Sequence, residues 1–299
     1  MYLCRGTQLG LIVAVLALAG AAGAAPWRVT LAGEQATVET GGPLGLRVSA
    51  PAVVTPGGEI LLRLAWAAPE GAPLEAEVRL SVSGGECPAQ VTVGPAGAPV
   101  TWQAPRRPGA AWLEAQAGEQ RLVLPVLVWP GSGPAEVEST LVDAALTLDR
   151  WMYWPVGATC QVGSFPPSGE EEGGARVSCV FSPGAESYVD LTKRTFLRGL
   201  PLELNLQARA SAALRLEVIL EDAGGQRFAY PGELPASEQW APVGVSLSSP
   251  ARWWGGAGDG RPQFPLSFLS LRLLPTEAAA VEVGVRHVIA RTLAPAPAG

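Results

Sequence analysis

Apolar and polar residues alternate one by one along most of this chain, and the three-to-four residue spacing of a helix is nearly absent. Glu59-Ile60-Leu61-Leu62-Arg63-Leu64-Ala65-Trp66 reads as a strand. In Glu75-Ala76-Glu77-Val78-Arg79-Leu80-Ser81-Val82 the Ala, Val and Leu side chains point one way and the Glu, Arg and Ser side chains the other. A period of two with one polar face marks a half-buried strand. Clusters such as Pro56-Gly57-Gly58, Pro69-Glu70-Gly71, Gly84-Gly85 and Pro95-Ala96-Gly97 interrupt these runs. Turns this closely spaced predict β-sandwiches, so the expected fold class is all-β.

The turn-rich segment Pro130-Gly131-Ser132-Gly133-Pro134 follows a strand-like run, Leu122 to Trp129, and reads as a linker between two domains. The first spans 26–131. Strands are expected beyond the linker at Leu141–Leu148, Ala158–Val162, Ala175–Phe181, Tyr188–Leu191, Leu202–Arg209, Ala213–Glu221, Arg227–Tyr230, Ala241–Leu247, Leu266–Leu274 and Ala280–Ala290. So many short strands over 135–293 fit a two-sheet jelly roll. The Pro/Ala-rich residues 294–299 read as a disordered tail.

The first residues fit a secretory leader over 1–24. Arg5 is followed by an unbroken apolar and small-residue run, Leu9 to Ala19, and then by Ala22-Gly23-Ala24, which fits a small-x-small cleavage site. The run is shorter than the roughly 20 residues that span a bilayer. Secretion is therefore expected, with no membrane insertion after cleavage. The net charge of −6 and the lack of a Lys/Arg cluster exclude electrostatic attraction to nucleic acid. Of four cysteines, Cys4 leaves with the leader. Cys160 and Cys179 flank a Gly/Glu-rich loop and are the expected disulfide; closing that loop would contribute about 3 kcal/mol. Free thiols are the other reading.

No catalytic set is legible. The single histidine, His287, lies in an alternating strand and reads as structural. No Gly-x-Ser-x-Gly elbow supports a triad. Asp222 precedes Ala223-Gly224-Gly225 and reads as a turn residue, and Glu170-Glu171-Glu172 as a solvated loop. Neither metal nor cofactor is expected.

Two resemblances follow from particular residues. Val53-Val54-Thr55-Pro56-Gly57-Gly58-Glu59, ahead of an alternating strand, resembles the opening of bacterial immunoglobulin-like modules. In the second half, a strand runs into Asp222-Ala223-Gly224-Gly225-Gln226-Arg227-Phe228-Ala229-Tyr230. Trp240 then opens a strand, and Trp253-Trp254-Gly255-Gly256-Ala257-Gly258-Asp259-Gly260 leads to Phe264-Pro265-Leu266. This order resembles the galactose-binding-like jelly roll of carbohydrate-binding modules. The resemblances imply two β-sandwich domains, immunoglobulin-like followed by jelly roll. The final strands of such modules often carry an acidic residue for a structural calcium ion. Val285-Arg286-His287-Val288 has none, and no calcium is expected.

The chain holds ten tryptophans. An exposed indole is a rigid apolar plane on which a pyranose can stack. The candidate glycan-binding residues are Trp151, Tyr153 and Trp154, together with Trp253 and Trp254 in the glycine-rich loop. Asp259 and Arg261 are expected to supply hydrogen bonds. Tryptophan is also a core residue, and in an extended segment neighbours face opposite ways, so one of Trp253 and Trp254 is expected inside. Trp66, Trp102 and Trp112 are assigned to the first core. Two functions remain open: a secreted non-catalytic protein that binds a polysaccharide or other glycan, or the accessory module of a polysaccharide-degrading system, and, as the alternative, a structural or adhesive cell-surface protein without a sugar ligand.

Overall fold

The computed structural model describes residues 27–32, 35–130, 135–146, 148–168, 172–182, 186–277 and 280–295. The expected leader, most of the linker, Glu170 and Glu171 lie outside the described residues. The chain is all-β, with two sandwiches and no helix among the described residues.

The first sandwich contains β1 (Trp27–Ala32), β2 (Gln35–Gly41), β3 (Gly45–Pro51), β4 (Val53–Val54) and β5 (Glu59–Ala67). It continues with β6 (Ala76–Val82), β7 (Gln90–Val93), β8 (Ala98–Gln103), β9 (Gly109–Ala117) and β10 (Gln120–Val128). One sheet has the order β1-β2-β3-β5-β8 and the other β4-β10-β9-β6-β7. The alternation sets the burial: Ile60, Leu62 and Leu64 face inward while Glu59, Leu61 and Arg63 face water. Trp102 is fully buried among them, and its indole N–H donates to the Gly84 carbonyl. Trp66 is only half-buried, bonded to the Pro73 carbonyl at the rim.

The second sandwich begins with β11 (Ala135–Asp143), β12 (Met152–Val156), β13 (Ala158–Phe165), β14 (Gly174–Phe181), β15 (Tyr188–Leu197) and β16 (Leu200–Ala210). Then come β17 (Leu214–Glu221), β18 (Gln226–Leu234), β19 (Ser237–Ser246), β20 (Arg252–Gly255), β21 (Leu266–Pro275) and β22 (Ala280–Pro295). One sheet runs β13-β14-β22-β16-β19, with β11 also on β22; the other runs β12-β15-β21-β17-β18-β20. Phe228, Phe268, Leu191, Val218 and Leu271 fill the space between them.

The structure corrects several expectations. The strand expected at Leu141–Leu148 is β11, which starts at Ala135 and stops at Asp143, where the Asp143 carboxylate accepts the Ala145 N–H (2.6 Å) and turns the chain. Ala294 and Pro295 are not tail: they close β22 by pairing with Glu136 and Ala135. β12 and β20, both edge strands, were not expected. In β12 Pro155 removes a ladder donor, which only an edge position accepts.

Cys160 and Cys179 are direct cross-strand partners, yet both are free thiols, as is Cys87. Burial, then the neighbouring Cys160, pushes the Cys179 thiol up to about 12, and burial raises Cys160 as well. Thiolate is the reactive form, so burial holds the pair inert. Alkylation of the native protein at pH 8, read by peptide mapping, is expected to label half-buried Cys160 ahead of Cys179. Equal labelling would contradict this packing.

Candidate functional site

Paired residues on neighbouring strands share a face of the sheet. One row across the outer face of the β12–β20 sheet reads Trp154, Asp190, Arg272, Glu217, Pro231. The next row reads Met152, Thr192, Ser270, Ile219, Ala229, Arg252. Ser270, Ile219 and Ala229 are buried although they point away from the sandwich core. Their burial places the longer side chains of the flanking rows over them, and the face is a buried floor with a raised polar and aromatic surround. Six strands at about 4.8 Å spacing make this face roughly 24 Å wide.

Arg272 is the centre of the face. Its Nε and Nη2 donate to the two Asp190 oxygens (2.8 and 2.7 Å), and its Nη1 lies 4.0 Å from Glu217 Oε2. Arg252 donates to the same Glu217 oxygen at 2.7 Å. Arg194 and Arg227 converge on the two oxygens of Glu221. Burial opposes the charge on Arg272, but the Asp190 hydrogen bonds, helped by the fields of Asp190, Tyr188 and Glu217, outweigh it and hold the guanidinium above its ordinary pKa. The same guanidinium lies 3.9 Å from the Tyr188 ring centroid and 5.9 Å from that of Trp254. Trp154 stands two strands away in the same row, 70% exposed. Aromatic planes and a fixed set of donors and acceptors therefore share one face.

The expected site residues divide sharply. Trp154 and Tyr153 are exposed, but Tyr153 pairs with inward-facing Leu191 and so lies on the opposite side of the edge strand. Trp151 lies inside the sandwich. It is 6% exposed and packs edge-on against Phe268, with ring centroids 5.9 Å apart.

Trp253 and Trp254 face opposite ways. Trp254 pairs with Arg227 on the outer face; Trp253 pairs with Phe228 and packs toward the core. A Cβ on Gly260 would come within 2.8 Å of the Trp253 ring, and the φ of +71° there also favours glycine. Asp259 and Arg261 are occupied structurally. The Asp259 carboxylate accepts the Arg261 N–H (2.9 Å), and Arg261 reaches Glu114 of the first sandwich (2.5 Å). Tyr188, Asp190, Glu217 and Arg272 were not identified from the sequence.

The loop carrying the two tryptophans is wedged against the first sandwich. Trp112 donates to the Pro262 carbonyl (2.7 Å) and stacks at a tilt on Phe264. Asp222 ties the other side: Oδ1 accepts the Gly224 and Gln226 N–H groups (2.8 Å each), and Oδ2 accepts that of Gln263 (2.9 Å). Asp222→Ala is expected to cost about 2–4 kcal/mol in urea unfolding, since it strands buried donors that bond a charge. A cost below 1 kcal/mol would contradict this anchoring role. Behind the loop, Trp27, Trp112, Tyr230, Trp253 and Phe264 help to line a cavity of about 180 Å³. An enclosed space of about 150 Å³ suits one benzene-sized ring; a polysaccharide needs the open face.

The chain is similar to several solved carbohydrate-binding modules. The family 11 module of a cellulosomal cellulase from Clostridium thermocellum is 14% identical, covers 55% of this chain and 98% of its own, and has a TM-score of 0.39. A family 29 module complexed with cellulohexaose is 9% identical, covers 52% and 92%, and scores 0.33. A module described as promiscuous, from the β-sandwich superfamily, is 11% identical, covers 83% and 98%, and scores 0.37. No protein-family model matches the chain, and no curated protein does.

Proposed function

We propose that the outer face of the β12–β20 sheet binds a polysaccharide without chemically altering it. The observation that carries this reading is Trp154, a bare indole in register with the Asp190–Arg272–Glu217 row. Such a plane offers a pyranose its apolar C–H face, with Trp254 and Tyr188 beside the central guanidinium. Glu217 and Asp190 can accept from sugar hydroxyls, and because Arg272 and Arg252 already fix them, little side-chain freedom is lost on binding.

In this reading the protein is secreted through its N-terminal leader. Its first sandwich is an immunoglobulin-like module, supported by the short parallel pairing of β4 with β10, and it braces the Trp254 loop. Affinity electrophoresis through gels containing plant and bacterial polysaccharides tests the proposal. Retardation by at least one polysaccharide is expected. Migration unaltered by every polysaccharide would favour the alternative, a structural or adhesive protein.

A further inference from the structure

Arg272 and Arg286 are equally buried, each 8% exposed, but on opposite sheets of the second sandwich. Arg272 has a carboxylate forked onto it. Among the described residues Arg286 has only neutral acceptors: Gln207 Oε1 at 2.7 Å and the backbone carbonyl of Glu172. Its guanidinium lies 4.4 Å from the centroid of Trp240. Arg209 approaches the same indole (5.8 Å) and covers Phe165 at 4.0 Å, and among the described residues it has no carboxylate partner.

The local fold builds this cluster. Val281, Val283 and Val285 face the core, but so do Val288 and Ala290. The parity changes at His287, where φ is +53°, opposite the register shift between Asn205 and Gln207. Such a bulge re-aims side chains. Trp240 lies close over Gly284, where a Cβ would meet its ring at 2.8 Å, and it meets Phe165 edge-on with centroids 6.0 Å apart. Two neighbouring acids are engaged elsewhere: the Glu172 carboxylate bonds His287 Nε2 (2.7 Å), and Glu282 faces Arg176 at 3.8 Å.

A buried guanidinium without a counter-charge is costly. In this acidic chain other arginines find one, as in Arg121–Glu114, Arg227–Glu221 and Arg291–Glu203. We infer that Arg209 and Arg286, held on Trp240, form a second site that binds an oxyanion, the carboxylate or sulfate of an acidic ligand. A guanidinium fork matches either group. The site lies on the sheet opposite the proposed glycan face and does not depend on it.

Titration calorimetry of the full chain with sodium glucuronate, sodium sulfate and glucose, at constant ionic strength, tests this. Saturable binding of glucuronate is expected, with none of glucose. Arg209→Gln should weaken it at least tenfold, Arg209→Lys should restore part of the loss, and Trp154→Ala should leave it unchanged. Tighter binding of glucuronate than of sulfate would identify a sugar acid as the ligand; equal binding would identify the bare oxyanion. No saturation by either anion, or saturation unaffected by Arg209→Gln, would overturn the inference. Arg209 is half-exposed, and a thermal melt that matches the wild type establishes that its variants fold.

Discussion

Replacing Asp190 by Ala is expected to destabilise the protein by about 3–5 kcal/mol, the cost of stripping one partner from a buried ion pair. The Asp190 and Arg272 side chains are 16% and 10% exposed. Without Asp190, the only carboxylate left near the guanidinium among the described residues is Glu217, at 4.0 Å and already bonded to Arg252. Urea unfolding followed by far-UV circular dichroism measures the loss. Replacing both partners, Asp190→Ala with Arg272→Met, should recover much of it, because the penalty comes from the stranded charge. A cost below about 1 kcal/mol for Asp190→Ala would mean that water reaches Arg272 freely, and the centre of the face would not be a fixed polar template.

Removing the indoles should leave the fold intact and remove the binding. Trp154 is an exposed edge residue, so Trp154→Ala should change stability by no more than about 0.5 kcal/mol. A central aromatic anchor is commonly worth about 2 kcal/mol or more of binding, roughly 30-fold in Kd per ring. Trp154→Ala combined with Trp254→Ala should thus abolish gel retardation by any polysaccharide that slows the wild type. Tyr153→Ala, on the other side of the same strand, should leave it unchanged. Equal effects of all three substitutions would point to a general loosening of the edge rather than to a stacking surface.

The alternation of polar and apolar residues was enough to read the all-β class and most strands, because burial of one strand face is a local property. In the second sandwich two strands escaped for a physical reason. β12 and β20 lie at the sheet edges, where adjacent aromatics, and in β12 a proline, replace the alternation. At the site, the opposite facing of Trp253 and Trp254 was legible from strand geometry. The burial of Trp151 was not, because it depends on Phe268, more than a hundred residues away. Arg272 carried a signal in Leu266-Ser267-Phe268-Leu269-Ser270-Leu271-Arg272-Leu273: a lone charge in an apolar strand needs a partner. That the partner is Asp190 follows only from the pairing of β15 with β21. Asp259 and Arg261 were assigned to a ligand because nothing in the loop shows that the first sandwich lies against it.

Whether sugar lies on Trp154 can be measured directly. Acrylamide quenching of tryptophan fluorescence, with and without a saturating polysaccharide that retards the protein, reports access to that ring. Bound polysaccharide should shield a quenchable fraction of the emission, and this shielding should shrink in Trp154→Phe. A polysaccharide that binds while leaving Trp154 as open to acrylamide as before would contradict the assignment of the β12–β20 face.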